Sequence, residues 1–283
     1  MRVITHQNID IDAVSGVWAY LTFVPEARDA TIVFRSANYD GHDMGSHDVA
    51  IDLDAGGRGI KGQRDPDGTQ HSCFATIVAE HASPEDQAAL HPLVTFIDAQ
   101  DSYGNAFQHL IPGIDDATLD IVSSVTVSSV LRALQSTNGN NDHSVISKML
   151  MIFDGLFKCY KSRQAAEKEA DEAELLADGQ VAIVNNSRRY ATNGILFKRG
   201  VRAIVFIDDC NLGVVREGQE TFRADDPRIR AVVEATGEFS EWFAHSAGFL
   251  FARGTRKAPQ FTPSQVDPHD LAQALVEVIS AAA

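Results

Sequence analysis

The chain has 283 residues, 44% hydrophobic and 22% charged, the balance of a folded protein with room for two domains rather than of a disordered one. Its formal net charge is −15 and its pI about 5.0, a field that opposes polyphosphate backbones at long range and argues against long duplex DNA as a partner. Cys73, Cys159 and Cys210 are scattered and form no CxxC pair, which points to a reducing compartment and to neither a disulfide framework nor a zinc knuckle.

The N-terminal stretch MRVITHQNIDID lacks the apolar h-region of a signal peptide, and no apolar run approaches the ~20 residues of a membrane span, so a cytoplasmic location with no membrane partner is expected. Residues 2–5 (RVIT) read as a buried strand that delivers His6 to a loop. Residues 13–23 follow as a helix with Val14, Val17, Trp18 and Leu21 on one face. Residues 31–35 (TIVFR) and 48–53 (DVAIDL) are further strands, and this alternation predicts an α/β domain with a mostly parallel sheet. A glycine-rich loop covers 56–68, and helices are expected over 72–81 and 84–97, the second capped by Ser83. Residues 116–135 and 144–176 also read as helices. The second carries a charged, alanine-rich tail, taken as a solvated connector ending at Gly179.

A smaller α/β unit follows, with strands at 181–184, 202–207 and 211–216, a helix over 227–236, an apolar segment over 242–251 interrupted by His245, Ser246 and Gly248, and a terminal amphipathic helix over 268–279. The expected organisation is therefore a catalytic domain over 1–140, a helical linker over 141–179 and a C-terminal α/β domain over 180–283.

Chemistry concentrates near the N-terminus. His6, Asp10 and Asp12 form the pattern H-x-x-x-D-x-D between an apolar strand and a helix. Two aspartates one residue apart can serve two cations, which lie roughly 3.5–4 Å apart in two-metal hydrolases. The histidine nitrogen suits Mn²⁺, Co²⁺ or Zn²⁺. The plainer reading is a strand-to-helix loop in which Asp10 or Asp12 caps the helix. Asp54 follows the third strand at a glycine turn, His71 follows the glycine-rich loop, and Asp98 and Asp101 lie in FIDAQDSYGN, so four places along the chain can feed one sheet edge. His42 and His47 in GHDMGSHD are spare donors. Near the C-terminus, His245, Ser246, Gly248, Arg253, Arg256 and Lys257 combine a glycine break, which admits a close phosphate, with cations that would neutralise it. Arg188 and Arg189 are additional cations.

This set of motifs resembles the Asp-His-His (DHH) phosphoesterases. Phe96-Ile97-Asp98-Ala99-Gln100-Asp101-Ser102 and Phe243-Ala244-His245-Ser246-Ala247-Gly248-Phe249 are similar to segments of the melanocyte-proliferating-gene family of 3′–5′ exonucleases within that superfamily. The resemblance implies a DHH-type metal-binding domain joined to a substrate-binding domain. It implies two metals, Mn²⁺ first with Mg²⁺, Co²⁺ or Zn²⁺ as alternatives. His6, Asp10 and Asp54 would hold one and Asp12, Asp54 and Asp101 the other, with Asp54 bridging. Asp12, Asp54 and His71 are the implied catalytic residues, and His245, Ser246, Gly248, Arg253 and Lys257 the substrate contacts. The namesake motif is reduced here to Gly68-Thr69-Gln70-His71-Ser72. Either His71 is a metal ligand and Ser72 replaces the substrate-facing histidine, or His71 is that histidine and Gln70 replaces the ligand.

The implied reaction is metal-assisted, in-line hydrolysis of phosphodiester bonds in short oligonucleotides or nucleotides, with a homodimer as a further expectation. Two alternatives stand beside it: a phosphomonoesterase or pyrophosphatase, and a catalytically altered DHH-like protein that binds nucleotides or a regulatory partner. No P-loop, GxGxxG, HExxH or serine nucleophile elbow occurs in the chain.

Overall fold

The computed structural model describes residues 1–66, 69–139, 141–185, 189–254 and 258–282, with backbone alone at 189 and 190. It divides into two units, residues 1–161 and 162–283.

The first unit is built on a four-stranded sheet of order β2-β1-β3-β4, formed by β1 (Arg2–His6), β2 (Thr31–Arg35), β3 (Val49–Ile51) and β4 (Gly59–Ile60). All its pairs are parallel, with His6 opposite Arg35 and Ile4 opposite Ala50. β1 is apolar on successive residues because both faces of the sheet are covered, as parallel sheets require. Val3 and Ile51 join the main core, while Ile4, Tyr39, Ala50 and Leu53 form a small cluster on the other side. Helix α1 (Ile11–Phe23) is buried continuously from Ile11 to Tyr20. A Cβ on its Gly16 would lie 2.6 Å from Cys73 Sγ and 2.9 Å from Ile51 Cγ2, so glycine here lets α1 touch both β3 and α2 (Cys73–His81).

Between β4 and α2, the two-residue strands β5 (Gln63–Arg64), inside the loop expected over 56–68, and β6 (Gln70–His71), just past it, pair antiparallel. α3 (Pro84–Tyr103) runs past residue 97 to Gly104, which closes it in the left-handed region at φ 74°. α4 (Ala106–Leu110) follows. The helix expected over 116–135 is two helices, α5 (Asp116–Ser124) and α6 (Val127–Asn138), bent 59° from each other. Hydroxyls cause the break: Thr126 Oγ1 accepts from the Ser129 N–H at 3.0 Å, and Ser124 Oγ donates to the Ile121 carbonyl. Among the described residues no single helix is long and apolar enough to cross a membrane.

Helix α7 (Asp142–Asp171) gives its first turns to this unit. Phe153 stacks on Trp18 at 5.7 Å between ring centroids, Phe157 meets Trp18 edge-on at 5.6 Å, and the indole N–H donates to Asp154 Oδ1 at 2.9 Å. Trp18 is 2% exposed. Trp18→Ala is therefore expected to destabilise this unit by about 3–5 kcal/mol. Its urea transition, followed by hydrogen exchange of β1 and α1 amides, checks this; a midpoint unchanged from the parent chain would refute it.

The second unit is a six-stranded sheet of order β11-β12-β10-β9-β8-β7. Its strands are β7 (Glu174–Leu176), β8 (Val181–Asn185), β9 (Ala203–Asp208), β10 (Asn211–Arg216), β11 (Trp242–Ala244) and β12 (Leu250–Arg253). Only β8 and β9, joined through α8 (Arg189–Lys198), run parallel; the other pairs are antiparallel. α9 (Pro227–Ala235) and α10 (Pro268–Ala281) contribute to the core that holds Val205 and Val214, while Ala182, Ile204 and Phe206 pack with α8.

Two expectations change here. The alanine-rich tail of α7 is not wholly solvated: Ala166 and Ala170 are 0% and 4% exposed and belong to the core with Phe206. The helix also does not reach Gly179. Residues 174–176 pair with β8 as an edge strand, and Ala177, Asp178 and Gly179 (φ 51°, 52° and 85°) make the hairpin turn. The broad expectation, an α/β chain with a parallel N-terminal sheet and a second sheet-containing unit, is what the structure contains.

Candidate metal centre

β1 lies between β2 and β3, so the carboxyl ends of β1 and β3 open to one edge, where open α/β sheets place their ligands. His6 is the last residue of β1. Asp10 caps α1 by accepting from the Ala13 N–H at 2.9 Å, and Asp12 sits in the first turn of that helix. Asp52 follows β3 directly. The His6 Nε2 atom is 3.1 Å from Asp52 Oδ2 and 3.7 Å from Asp10 Oδ2, and its Nδ1 lies 2.9 Å from the Gln7 carbonyl oxygen, which orients the ring.

Two sets of donors converge. In His6, Asp10 and Asp52, and again in Asp12, Asp52 and Cys73, one ligand atom from each residue lies within 4.8 Å of the others. Asp52 belongs to both. Asp12 is 2% exposed, and its carboxylate accepts from the backbone N–H groups of Cys73 at 2.9 Å and Phe74 at 3.0 Å, at the start of α2. The thiol of Cys73 is buried and 3.5 Å from the Asp12 carbonyl.

The electrostatics are those of crowded carboxylates. The hydrogen bond with Asp52 raises His6 to about 9, against the opposing effect of burial. Burial pushes Asp12 up to about 7, with Asp52 and Asp101 adding repulsion. Asp101 is raised as well, by burial and then by Asp10 and Asp52. Burial also raises the Cys73 thiol. A cation among these groups relieves the repulsion and replaces protons. An imidazole nitrogen among three carboxylates suits Mn²⁺, Co²⁺ or Zn²⁺ better than a purely oxygen-seeking ion, and the Cys73 thiol adds a donor that favours Zn²⁺.

Of the residues singled out from sequence, His6, Asp10 and Asp12 come together. Asp101, on α3, lines the same cleft as Asp10, a space of about 400 Å³. Asp54 does not join them. Its carboxylate accepts from the Gly57 N–H at 3.2 Å in an exposed turn, and Asp52 stands where Asp54 was expected. The reason is local: the backbone turns at Asp52 itself, with φ 54°, one residue after the strand ends. His71 is in neither donor set. It ends β6 with Nε2 3.1 Å from Asp65 Oδ2 and Nδ1 3.3 Å from Asp98 Oδ2, and Asp65, then Asp98, raise its pKa. Asp98 also accepts from the Ser72 N–H at 2.9 Å and from its hydroxyl, tying α3 to the cap of α2. His42 is exposed beside Asp40, and His47 is exposed.

In the second unit, His245, Ser246 and Gly248 form the turn between β11 and β12. Gly248 has φ 69° and donates its N–H to the His245 carbonyl at 2.8 Å. Arg253 is not a free cation. It is 3% exposed and bound to Glu241 at 2.7 Å and to the Thr262 carbonyl at 2.7 Å, so it braces the sheet edge. Arg188, Arg256 and Lys257 lie outside the described residues, as does the side chain of Arg189. The converging donors that the sequence did not single out are Asp52 and Cys73. The signal for Asp52 was its place directly after the apolar run VAI.

No protein-family model matches the chain, and no curated protein matches it. Solved structures do. A pGpG-specific phosphodiesterase, PggH, from Vibrio cholerae is similar at 8% identity and TM-score 0.32, over 100% of both chains. RecJ from Thermus thermophilus in complex with Mg²⁺ is similar at 12% identity and TM-score 0.28, over 99% of this chain and 49% of that one, so the chain spans about half its length. The DHH domain of PF0399, a member of the s1p family of ribosomal proteins, is similar at 13% identity and TM-score 0.30, over 98% of this chain and 87% of that one.

Proposed function

We propose that this chain is a metal-dependent phosphoesterase of the DHH type that hydrolyses phosphodiester bonds in short oligonucleotides or nucleotides. The supporting observation is the pair of donor sets that share Asp52 at the carboxyl edge of a parallel sheet. In this reading His6 and Asp10 hold one cation with Asp52, and Asp12, Cys73 and Asp101 serve the second, again with Asp52. Two Mn²⁺ ions per chain are proposed. Divalent cations bound there polarise a phosphate oxygen and bring the pKa of water toward neutrality.

The remaining work falls to the protein. Asp12 is fixed by the two amides of α2 and cannot swing away. In this reading His71, whose pKa Asp65 and Asp98 raise, would hold a proton for a leaving oxygen. On the same reading the first unit, residues 1–161, carries the catalytic residues, and the second, residues 162–283, contacts substrate through the turn at His245, Ser246 and Gly248. A net charge of −15 favours short substrates over duplex DNA.

Elemental analysis of Mn²⁺-loaded protein, beside cleavage of a labelled dinucleotide and a 5-mer, tests this. Two metals per chain and Mn²⁺-dependent cleavage are expected. One observation favours a second reading, a nucleotide binder that no longer turns over: His71 stands apart from both donor sets. One metal or none, with tight nucleotide binding and no cleavage, would establish that reading instead.

A further inference from the structure

The cleft beside the donor sets is lined by Asp10 and Asp101 and, from the first two turns of α6, by Ser128 and Arg132. Arg132 is the one cation among its described lining residues. It is exposed, donates to Ser129 Oγ at 3.2 Å, and makes no ion pair among the described residues. Arg132 shares the cleft with Asp10 and Asp101, in a chain of net charge −15, yet among the described residues it pairs with neither. Ser128 adds an independent sign. It is 6% exposed, and its hydroxyl has no hydrogen-bond partner among the described residues. A buried hydroxyl left without a partner is costly, and on a cleft wall a ligand can supply what is missing. Both residues lie near the N-terminus of a 12-residue helix, whose dipole favours an anion.

We infer that this cleft seats a nucleotide phosphate, with Arg132 as its cationic contact and Ser128 as a hydroxyl donor, and that it does so only after cations have covered Asp10 and Asp101. The order follows from charge: with two bare carboxylates in the same cleft, a phosphate meets repulsion that Arg132 alone cannot offset. The inference rests on the phosphoesterase reading for its metals and says where the phosphate of that reading's substrate sits.

The test uses the full chain with and without Mn²⁺, AMP as the binding probe, and a 5′-phosphorylated dinucleotide as substrate. Calorimetry should show AMP binding to the Mn²⁺-loaded chain and about tenfold weaker binding without metal. Arg132→Ala should weaken AMP binding about tenfold and raise KM by a similar factor with kcat nearly unchanged, and Arg132→Lys should recover most of both, as expected for loss of one charge-assisted contact. A thermal midpoint equal to that of the parent chain separates lost contact from lost fold. Cleavage by the parent with an unaltered KM in Arg132→Ala would overturn the cleft assignment and leave the phosphoesterase reading standing. AMP binding that depends on Mn²⁺ and Arg132, in a chain that never cleaves, would uphold the assignment and remove that reading. No AMP binding to the Mn²⁺-loaded parent would overturn the assignment outright.

Discussion

Asp52→Asn is expected to remove Mn²⁺-dependent cleavage almost completely, while Asp54→Asn leaves it within about a factor of two. Asp52 is the only residue common to both donor sets, so its loss weakens two sites together. Loss of an outer-shell partner alone costs roughly 10–100-fold in metal affinity or activity, and a shared ligand should exceed that. Asparagine keeps the shape and one oxygen but not the charge that offsets two cations and raises His6. Asp54, in an exposed turn with Gly57, belongs to neither donor set. Elemental analysis of both variants, beside initial rates, decides the matter. Two tightly held metals and full activity in Asp52→Asn would end the shared-ligand account, and a dead Asp54→Asn would return the role to the residue first expected from the sequence.

Mn²⁺ affinity should rise roughly a thousandfold between pH 6 and pH 8, because cations compete with protons for His6 and Asp12. His6, raised to about 9, is protonated across that range and gives up about one proton on binding. Asp12, near 7, gives up about half a proton at neutrality. The metal-free fold responds in the opposite sense. His6 stabilises the folded chain fully below its ordinary value of 6.5, and that contribution is lost as pH rises through about 9. Asp12 is easier to keep folded when protonated, so its contribution falls as pH rises from its ordinary value of 3.8 to about 7. Metal-free protein should therefore melt earlier at pH 9 than at pH 6, and Mn²⁺ should reverse the trend. Calorimetry in buffers of different ionisation enthalpy counts the protons; binding that is flat with pH would contradict the account.

Much of the first unit was legible because its signals are local. An apolar run ending at His6, a cap at Asp10 and a buried helix beyond are all written within 23 consecutive residues. Asp52 was hidden in D-L-D-A-G-G, where a strand read through Leu53 makes Asp54 the aspartate at the glycine turn. The chain instead leaves the strand at Ile51 and turns at once. Cys73 was hidden for a different reason: 61 residues separate it from Asp12, and only helix packing joins them. β7 was masked by residues with helical preference, which pairing with β8 overrides. Arg253 looked like a phosphate ligand until Glu241 and Thr262 were placed around it.

Gly16 contains no donor atom, yet it governs the distance at which a thiol can reach the aspartates, since the space its missing Cβ would fill is occupied by Cys73 Sγ and Ile51. Drift at that position would move the helix carrying Cys73 while every ligand stayed unchanged in the text of the sequence. The proposed second donor set could thus come apart with each of its donor residues still in place.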